Sequence, residues 1–393
     1  MSVALVTDVA GVVRSLGDVG IRSIVVGEYP TSPVFRSRHC IESHVVPNMR
    51  YEADAAFASL LKIGSTRTDC PALMTGRESD VLLVSRNRER LSRHFAIKMA
   101  PADLIETCLD KWKFAELMRR HSVPAPKTFL PETEADLDAV TREIAFPMIL
   151  KPFSQDLWLQ DAIYAIVGKW KKAFVVRDVG ELKRYHSELS KVHREFMVQE
   201  YIGGGDTDIY EMQAYCDRPG HVAGSFLHRK IRTFPRGFGQ SSYIRSLHDD
   251  RISRVVLEML EKIDYLGAAD IDLKVDPATG RAIILEINPR FGLACHFAAR
   301  CGANFPQAMF NDVFGYPPPK LLQTPIERRW LYFHFDLRAA RQYREAGEWS
   351  YLGWLLSLLR PGITYFRWDW KDPGPLLRSA VNYFTSKIRS LFT

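Results

Sequence analysis

The chain has 393 residues, with 53 Lys and Arg against 46 Asp and Glu, a formal charge of +7 and 46% hydrophobic residues. This is the balance of an ordinary soluble protein long enough for two or three domains and a large buried core. The mild positive charge fits an anionic substrate or weak nucleic-acid contact alike, and no block of about five or six like charges is present, which excludes an obvious nucleic-acid-binding arm.

Residues 2–7 (SVALVT) read as a short apolar strand, and Val9 to Leu16 continue with helical periodicity. Ile21 to Val26 is a second strand and Ser79 to Val84 a third. Strands alternating with helical stretches indicate a parallel α/β unit. Its first turn lacks Gly-x-Gly-x-x-Gly, so no dinucleotide site is assigned there. Residues 102–120 have the spacing of one helix, which Val123-Pro124-Ala125-Pro126 ends. Strands follow at Phe146 to Lys151, Phe174 to Val176, Phe196 to Tyr201 and Ile209 to Tyr215, then a helix at 251–264. Residues 319–393, rich in Trp, Leu and Arg, read as a separate helical appendage. Its tail, SAVNYFTSKIRSLF, is amphipathic and basic; packing on the protein is expected, with contact at a membrane surface as the alternative. The apolar run Tyr351 to Leu359 is far shorter than the about 20 residues of a membrane span.

Gly267 to Gly292 (GAADIDLKVDPATGRAIILEINPRFG) is the most informative stretch. The Asp-Pro-Ala-Thr-Gly run at 276–280 is turn chemistry, so the segment reads as a hairpin. Alternation puts Asp270, Asp272 and Lys274 on one face of the first strand, and Glu286 and Asn288 on one face of the second. If Asp276 pairs with Ala282, Asp272 lies opposite Glu286; in a shifted register Asp270 does. Adjacent carboxylates repel unless a proton or a hard cation intervenes, and magnesium prefers one or two carboxylates plus phosphate oxygens. An exposed hairpin with scattered charges is the other reading of the same residues.

An acidic residue on one strand followed by Glu-x-Asn-Pro-Arg on the next resembles the metal-binding hairpin of the ATP-grasp superfamily. The resemblance runs from about Lys111 to Gly292 and is nearest to its ATP-dependent carboxylate–amine ligases, the D-aspartate-ligase-like proteins among them. It implies an α/β (α+β) ATP-grasp fold: a Rossmann-like preceding domain at 1–95, the ATP-grasp domain at 96–318 and a C-terminal extension at 319–393. It implies Mg2+, with Mn2+ as a substitute, held by Asp272, Glu286 and Asn288, and Arg290 facing the transferred phosphoryl group or the substrate. Lys151, ending the strand PMILK, and Lys111, in LDKWKF, match the family's two phosphate lysines. In MVQEYIGGGDTDIYEM the backbone of Glu200 and Ile202 would read adenine beside Gln199, while Asp206, or Asp208 in a shifted register, would accept the ribose hydroxyls. The family's glycine-rich loop after the second lysine is replaced here by a stretch with only Gly168, where Lys172 stands nearest the phosphates. Arg229 and Lys230, with Arg232 and Arg236 around Phe234-Pro235, resemble the segment lining the phosphate and substrate-carboxylate site. The tail WDWKDPGPLL is shared by many of these proteins and has no evident chemical role.

The resemblance implies an ATP-dependent carboxylate–amine ligase that forms an amide through an acylphosphate and releases ADP and phosphate. A non-catalytic ATP-binding scaffold, or transfer to another acceptor, is the alternative. Partners are then a small carboxylate and an amine, without nucleic acid, and a homo-oligomer is compatible with the sequence. The six cysteines lack Cys-x-x-Cys spacing and read as reduced, mostly buried thiols. With no cleavage signature in MSVALVTDVAGVVRSLGDVG, the expectation is a cytoplasmic protein.

Overall fold

The computed structural model describes residues 2–152, 163, 165–166, 173–192, 196–237 and 239–389, which form three sheets. The first is wholly parallel, in the order β3-β2-β1-β4, from β1 (Ala4–Thr7), β2 (Ser23–Gly27), β3 (Cys40–Val45) and β4 (Ala72–Met74). Ala4 and Val6 pack into one core and Leu5 into another, the two-sided burial expected of a parallel strand. The third strand expected at 79–84 is instead the helix Glu78–Arg86. The four-residue apolar run 81–84 does not distinguish strand from helix, and Glu78 and Asp80 in the first turn favour the helix. The parallel strand is the three-residue β4 just before it.

The helix expected over 102–120 is two helices, Ala102–Leu109 and Lys111–Arg120. Between them Asp110 leaves helical geometry (φ −91°, ψ 114°), and its carboxylate accepts from the Trp112 and Lys113 amides at 2.9 Å each. This N-cap outweighs continued helix, as short polar side chains do beside backbone amides. It also sets Lys111 at the first position of the second helix.

The second sheet is antiparallel, in the order β5-β8-β6-β7: β5 (Thr128–Phe129), β6 (Met148–Pro152), β7 (Phe174–Val176) and β8 (Phe196–Glu200). The largest sheet runs β13-β12-β9-β10-β11-β14-β15. Its strands are β9 (Ile209–Arg218), β10 (His221–Phe234), β11 (Gln240–Ser246), β12 (Gly267–Val275), β13 (Ala282–Asn288), β14 (Arg329–Leu331) and β15 (Ile363–Tyr365).

The segment after residue 318 does not stand apart. It supplies β14 and β15, covering what would otherwise be an open edge at β11. Its helix Phe333–Glu345 brings Asp336 against Arg232 of β10, both fully buried, with Nε–Oδ1 at 2.9 Å and Nη2–Oδ2 at 2.8 Å. Ser242 Oγ and Trp354 Nε1 also donate to Asp336, so its lone pairs are well used. The WDWKDPGPLL motif acquires a structural role. Asp372 is paired with buried Arg14 at 3.2 Å and accepts from Ser37 Oγ and the Arg38 amide, while Asp369 meets Arg300 at 3.1 Å.

Asp336→Ala would leave Arg232 buried without its counter-charge. Urea denaturation is expected to show a loss of about 3–5 kcal/mol, and a loss below about 1 kcal/mol would contradict this role.

Candidate functional site

Opposed residues on antiparallel strands share a face. Asp272 of β12 lies opposite Glu286 of β13 and Glu211 of β9, and Glu211 lies opposite His228 of β10. One step along the same face runs a second row, Asn288, Asp270, Gln213 and Phe226. The Asp272–Glu286 pairing arises by a different route from the expected turn register. Val275, not Asp276, pairs with Ala282, and a bulge between Asp272 and Leu273 leaves Leu285 unpaired and restores the expected pair.

Lys230 supplies the counter-charge. Its Nζ lies 2.5 Å from Asp272 Oδ1 and 3.8 Å from Glu211 Oε2, and His228 Nε2 lies 3.4 Å from the same Glu211 oxygen. Burial works against the Lys230 ammonium, but Asp272 and Glu211 outweigh it and hold its pKa above the ordinary lysine value. Burial raises the Asp272 carboxyl to about 6 despite Lys230. Glu211 stays ionised well below the usual range because His228 and Lys230 overcome its burial. Asp270 goes the other way: burial, then the Glu211 charge, push it well above the carboxylate range against the pull of Arg290.

Glu286 is reached by solvent but hemmed in by protein. That crowding opposes its charge, and Lys230, Lys151 and Lys111 together outweigh it to lower its pKa. The two lysines, one from β6 and one from a helix N-terminus, thus stand over the free end of the carboxylate row. Lys151 Nζ donates to Gln199 Oε1 at 2.8 Å, and Gln199 Nε2 donates to Thr128 Oγ1 at 2.7 Å. Asn288 Nδ2 donates to the Asp270 carbonyl at 3.3 Å, and Asn288 Oδ1 accepts from Arg290 Nη2 at 3.3 Å. Arg290 Nη1 also reaches Asp270 Oδ2 at 3.3 Å. The fold therefore gathers Asp272, Glu286, Asn288, Arg290, Lys230, Lys151, Gln199 and Lys111.

The other expected residues that are described have partners within the chain. Arg229 points to the opposite face of β10, where it donates to the Thr207 carbonyl, pairs with Asp208 at 3.4 Å and stacks over Tyr210. Alternation separates it from Lys230, and the same basic run sends Arg232 into the core and Arg236 to Glu348. Asp206 is buried and accepts from the Gly237 amide at 3.0 Å and from Tyr343 Oη, so one carboxylate oxygen is committed to tying the linker to the C-terminal segment. The Glu200 amide donates to the Lys127 carbonyl at 2.8 Å, and the Ile202 carbonyl accepts from Lys274 Nζ at 3.0 Å. One backbone group of each residue expected to read adenine thus has a partner within the chain. Lys172 lies outside the described residues.

Sequence reasoning missed Glu211 and His228. Glu211 was visible only as the alternating partner of Tyr210 in IYEM, and its meaning depends on pairing with a strand some sixty residues later. Among the described residues no group of three or more His, Cys, Asp or Glu side chains stands in a metal-holding arrangement; Lys230 and His228 engage Asp272 and Glu211. Asp272, Glu286 and Asn288 nevertheless present hard oxygen donors from adjoining strands on one face, and the donor set fits a magnesium-type ion.

No protein-family model matches the chain. It is 27% identical over 243 residues to the D-aspartate ligase of Enterococcus faecium strain Aus0004, covering 60% of this chain and 57% of that protein. It is 21% identical over 220 residues to D-alanine–D-alanine ligase B of Chromobacterium violaceum, covering 52% of this chain and 65% of that one. The matches thus span less than two thirds of either relative. Among solved structures, an L-amino acid ligase from Bacillus licheniformis has the same fold, with a TM-score of 0.60 and 14% identity over 80% of this chain and 74% of that chain.

Burial, then the like charge of Lys111, lowers the Lys151 pKa from the ordinary 10.5 to about 8, with only Glu286 opposing. Its charge is present below that pH and lost above it, so affinity for a polyanion falls as pH rises through about 8. Calorimetric titration with tripolyphosphate should show a decline approaching about tenfold per pH unit, and Lys151→Arg should flatten it. A profile unchanged by the substitution would remove Lys151 from the anion site.

Proposed function

We propose that this chain, which belongs to the ATP-grasp superfamily, is an ADP-forming carboxylate–amine ligase. The observation that carries the reading is the in-register Asp272–Glu286 pair with Asn288 and Arg290 beside it and Lys151 and Lys111 acting on its open end. The names of the similar proteins support the same reaction class, and the substrates are taken as a small carboxylate and an amine. Residues 1–95 are assigned as a Rossmann-like preceding domain and 96–318 as the ATP-grasp domain.

Mg2+, or Mn2+ in its place, would be held by Asp272, Glu286 and Asn288, and when bound it neutralises phosphate charge. The chain's own groups do the rest. Lys111 and Lys151 hold the phosphates of ATP against Glu286. Arg290, oriented by Asp270 and Asn288, faces the transferred phosphoryl group with a planar fork of donors. Lys230, already charged and buried, fixes Asp272 in its ionised form. Lys274 donates to the Ile202 and Gly204 carbonyls and so shapes the linker after β8, to which the nucleoside end is assigned.

A substrate carboxylate oxygen attacks the γ-phosphorus, the bond to ADP breaks, and an acylphosphate forms. The amine nitrogen then attacks the acyl carbon, phosphate leaves and the nitrogen gives up a proton. Positioning and charge neutralisation supply the acceleration, so no side-chain nucleophile is required.

The test is magnesium-dependent ADP release across a panel of carboxylates and amines, followed by mass analysis for the amide. A carboxylate should stimulate release and one amine should yield the amide. Glu286→Ala, its fold checked by circular dichroism, should lose about 100-fold or more. Release that needs no carboxylate, or that survives the substitution, would contradict the reading.

A further inference from the structure

The helix Tyr351–Leu358 is built inside out. Leu352, Leu355, Leu356 and Leu359 recur at the spacing of a single helical stripe, yet they are 50–73% exposed. The polar side faces inward. Ser357 is buried, its Oγ accepts from Arg232 Nη2 at 3.1 Å and its carbonyl accepts from Tyr243 Oη at 2.9 Å, while Trp354 Nε1 donates to Asp336 at 2.8 Å. The helix closes the buried Arg232–Asp336 pair with its polar groups, and the leucines are left to water. Among the described residues they stay half or more exposed.

The following chain repeats the pattern. Trp370 is 81% exposed and packs edge-on against Trp368, which in turn contacts Tyr365. The helix Gly374–Arg389 docks on residues 33–36 through the close approach of Gly374 to the Arg36 carbonyl, and nearby Asn382 Nδ2 donates to the Thr31 carbonyl at 2.8 Å. Its Leu377, Val381 and Phe384 point outward. The tail helix thus packs on the protein, as expected, while keeping an apolar stripe free.

Charge selects the occupant. Between residues 351 and 385 the only carboxylates are Asp369 and Asp372, both buried and bonded inward to Arg300 and Arg14. Arg360, Arg367 and Lys371 are exposed. The outward charge of this segment is therefore wholly positive. A second copy docked about a two-fold axis would set like charges against each other, whereas an anionic surface would be attracted. Exposed tryptophan, leucine and arginine within one stretch of chain are the composition of an interfacial element. No helix among the described residues is long and apolar enough to cross a membrane, so the element would lie in the surface plane.

We infer that residues 351–385 form a docking surface for an anionic lipid bilayer, with the Leu352–Leu359 stripe and the Trp368–Trp370 pair entering the headgroup region and Arg360, Arg367 and Lys371 meeting lipid phosphates. The inference is independent of the ligase reading and survives or fails without it.

Vesicle co-sedimentation of the full chain tests it, using phosphatidylcholine vesicles with and without 30 mol% phosphatidylglycerol (about one anionic lipid in three), alongside analytical ultracentrifugation without lipid. The chain should sediment with the anionic vesicles only and be released by salt. Leu355→Gln/Leu356→Gln, an exposed pair whose substitution spares the core, should bind about tenfold more weakly. Absence of binding to anionic vesicles, or equal binding by the double variant, would overturn the inference. A dimer in the ultracentrifuge that the same substitutions dissolve, without vesicle binding, would assign the surface to a second copy instead.

Discussion

The ammonium of Lys230 allows Asp272 and Glu211 to lie side by side in a buried row. It sits 2.5 Å from one and 3.8 Å from the other. Without it, two carboxylates on adjoining strands would be held apart by repulsion or share a proton. With it, Asp272 can stay charged in the register that also brings Glu286 opposite. In the neighbouring row Arg290 reaches Asp270 at 3.3 Å, but burial and then the Glu211 charge outweigh it and push Asp270 toward its neutral form. One sheet face therefore carries a row charged by virtue of Lys230 next to an acid pushed toward neutrality by burial and Glu211.

The C-terminal segment holds that lysine in place without contributing to the row. Arg232 follows Lys230 by two residues on β10 and is locked by Asp336. Tyr343, on the same helix as Asp336, accepts from the Thr233 amide at 3.0 Å and donates to Asp206 in the linker. Both the strand that carries Lys230 and the linker leading into β9 are thus fixed from one helix. The requirement for a buried partner to Arg232 explains why Trp354 and Ser357 turn inward and why the leucines around them turn out.

Much of the site was legible because alternation is a short-range rule. The shared face of Asp270, Asp272 and Lys274, and of Glu286 and Asn288, follows from side-chain period alone, and the Asp-Pro-Ala-Thr-Gly turn brings the two strands together. Lys151 at the end of a buried strand was equally visible. What escaped depends on contacts distant in sequence. Glu211 acquires meaning only when β9 pairs with β12. Arg229 and Arg232 look equivalent to Lys230 in a basic run, but alternation sends Arg229 to the other face and a bulge with a partner about a hundred residues away buries Arg232. The bond from Tyr343 to one oxygen of Asp206 was equally out of reach, because it comes from far along the chain. The strand expected at 79–84 failed for a different reason, since the four apolar residues 81–84 suit either period and the acidic first turn decided for helix.

The most direct test of the account is the binding of Mn2+, followed by electron paramagnetic resonance, with a non-hydrolysable ATP analogue present. Wild-type protein should bind the ion in a nucleotide-dependent way. The near-isosteric Asp272→Asn and Glu286→Gln, which keep size while removing charge, should each weaken it at least about tenfold while keeping the circular dichroism of the folded chain. Equal ion binding by both variants would mean that the row of carboxylates on β12 and β13 is a structural charge network and not the metal site.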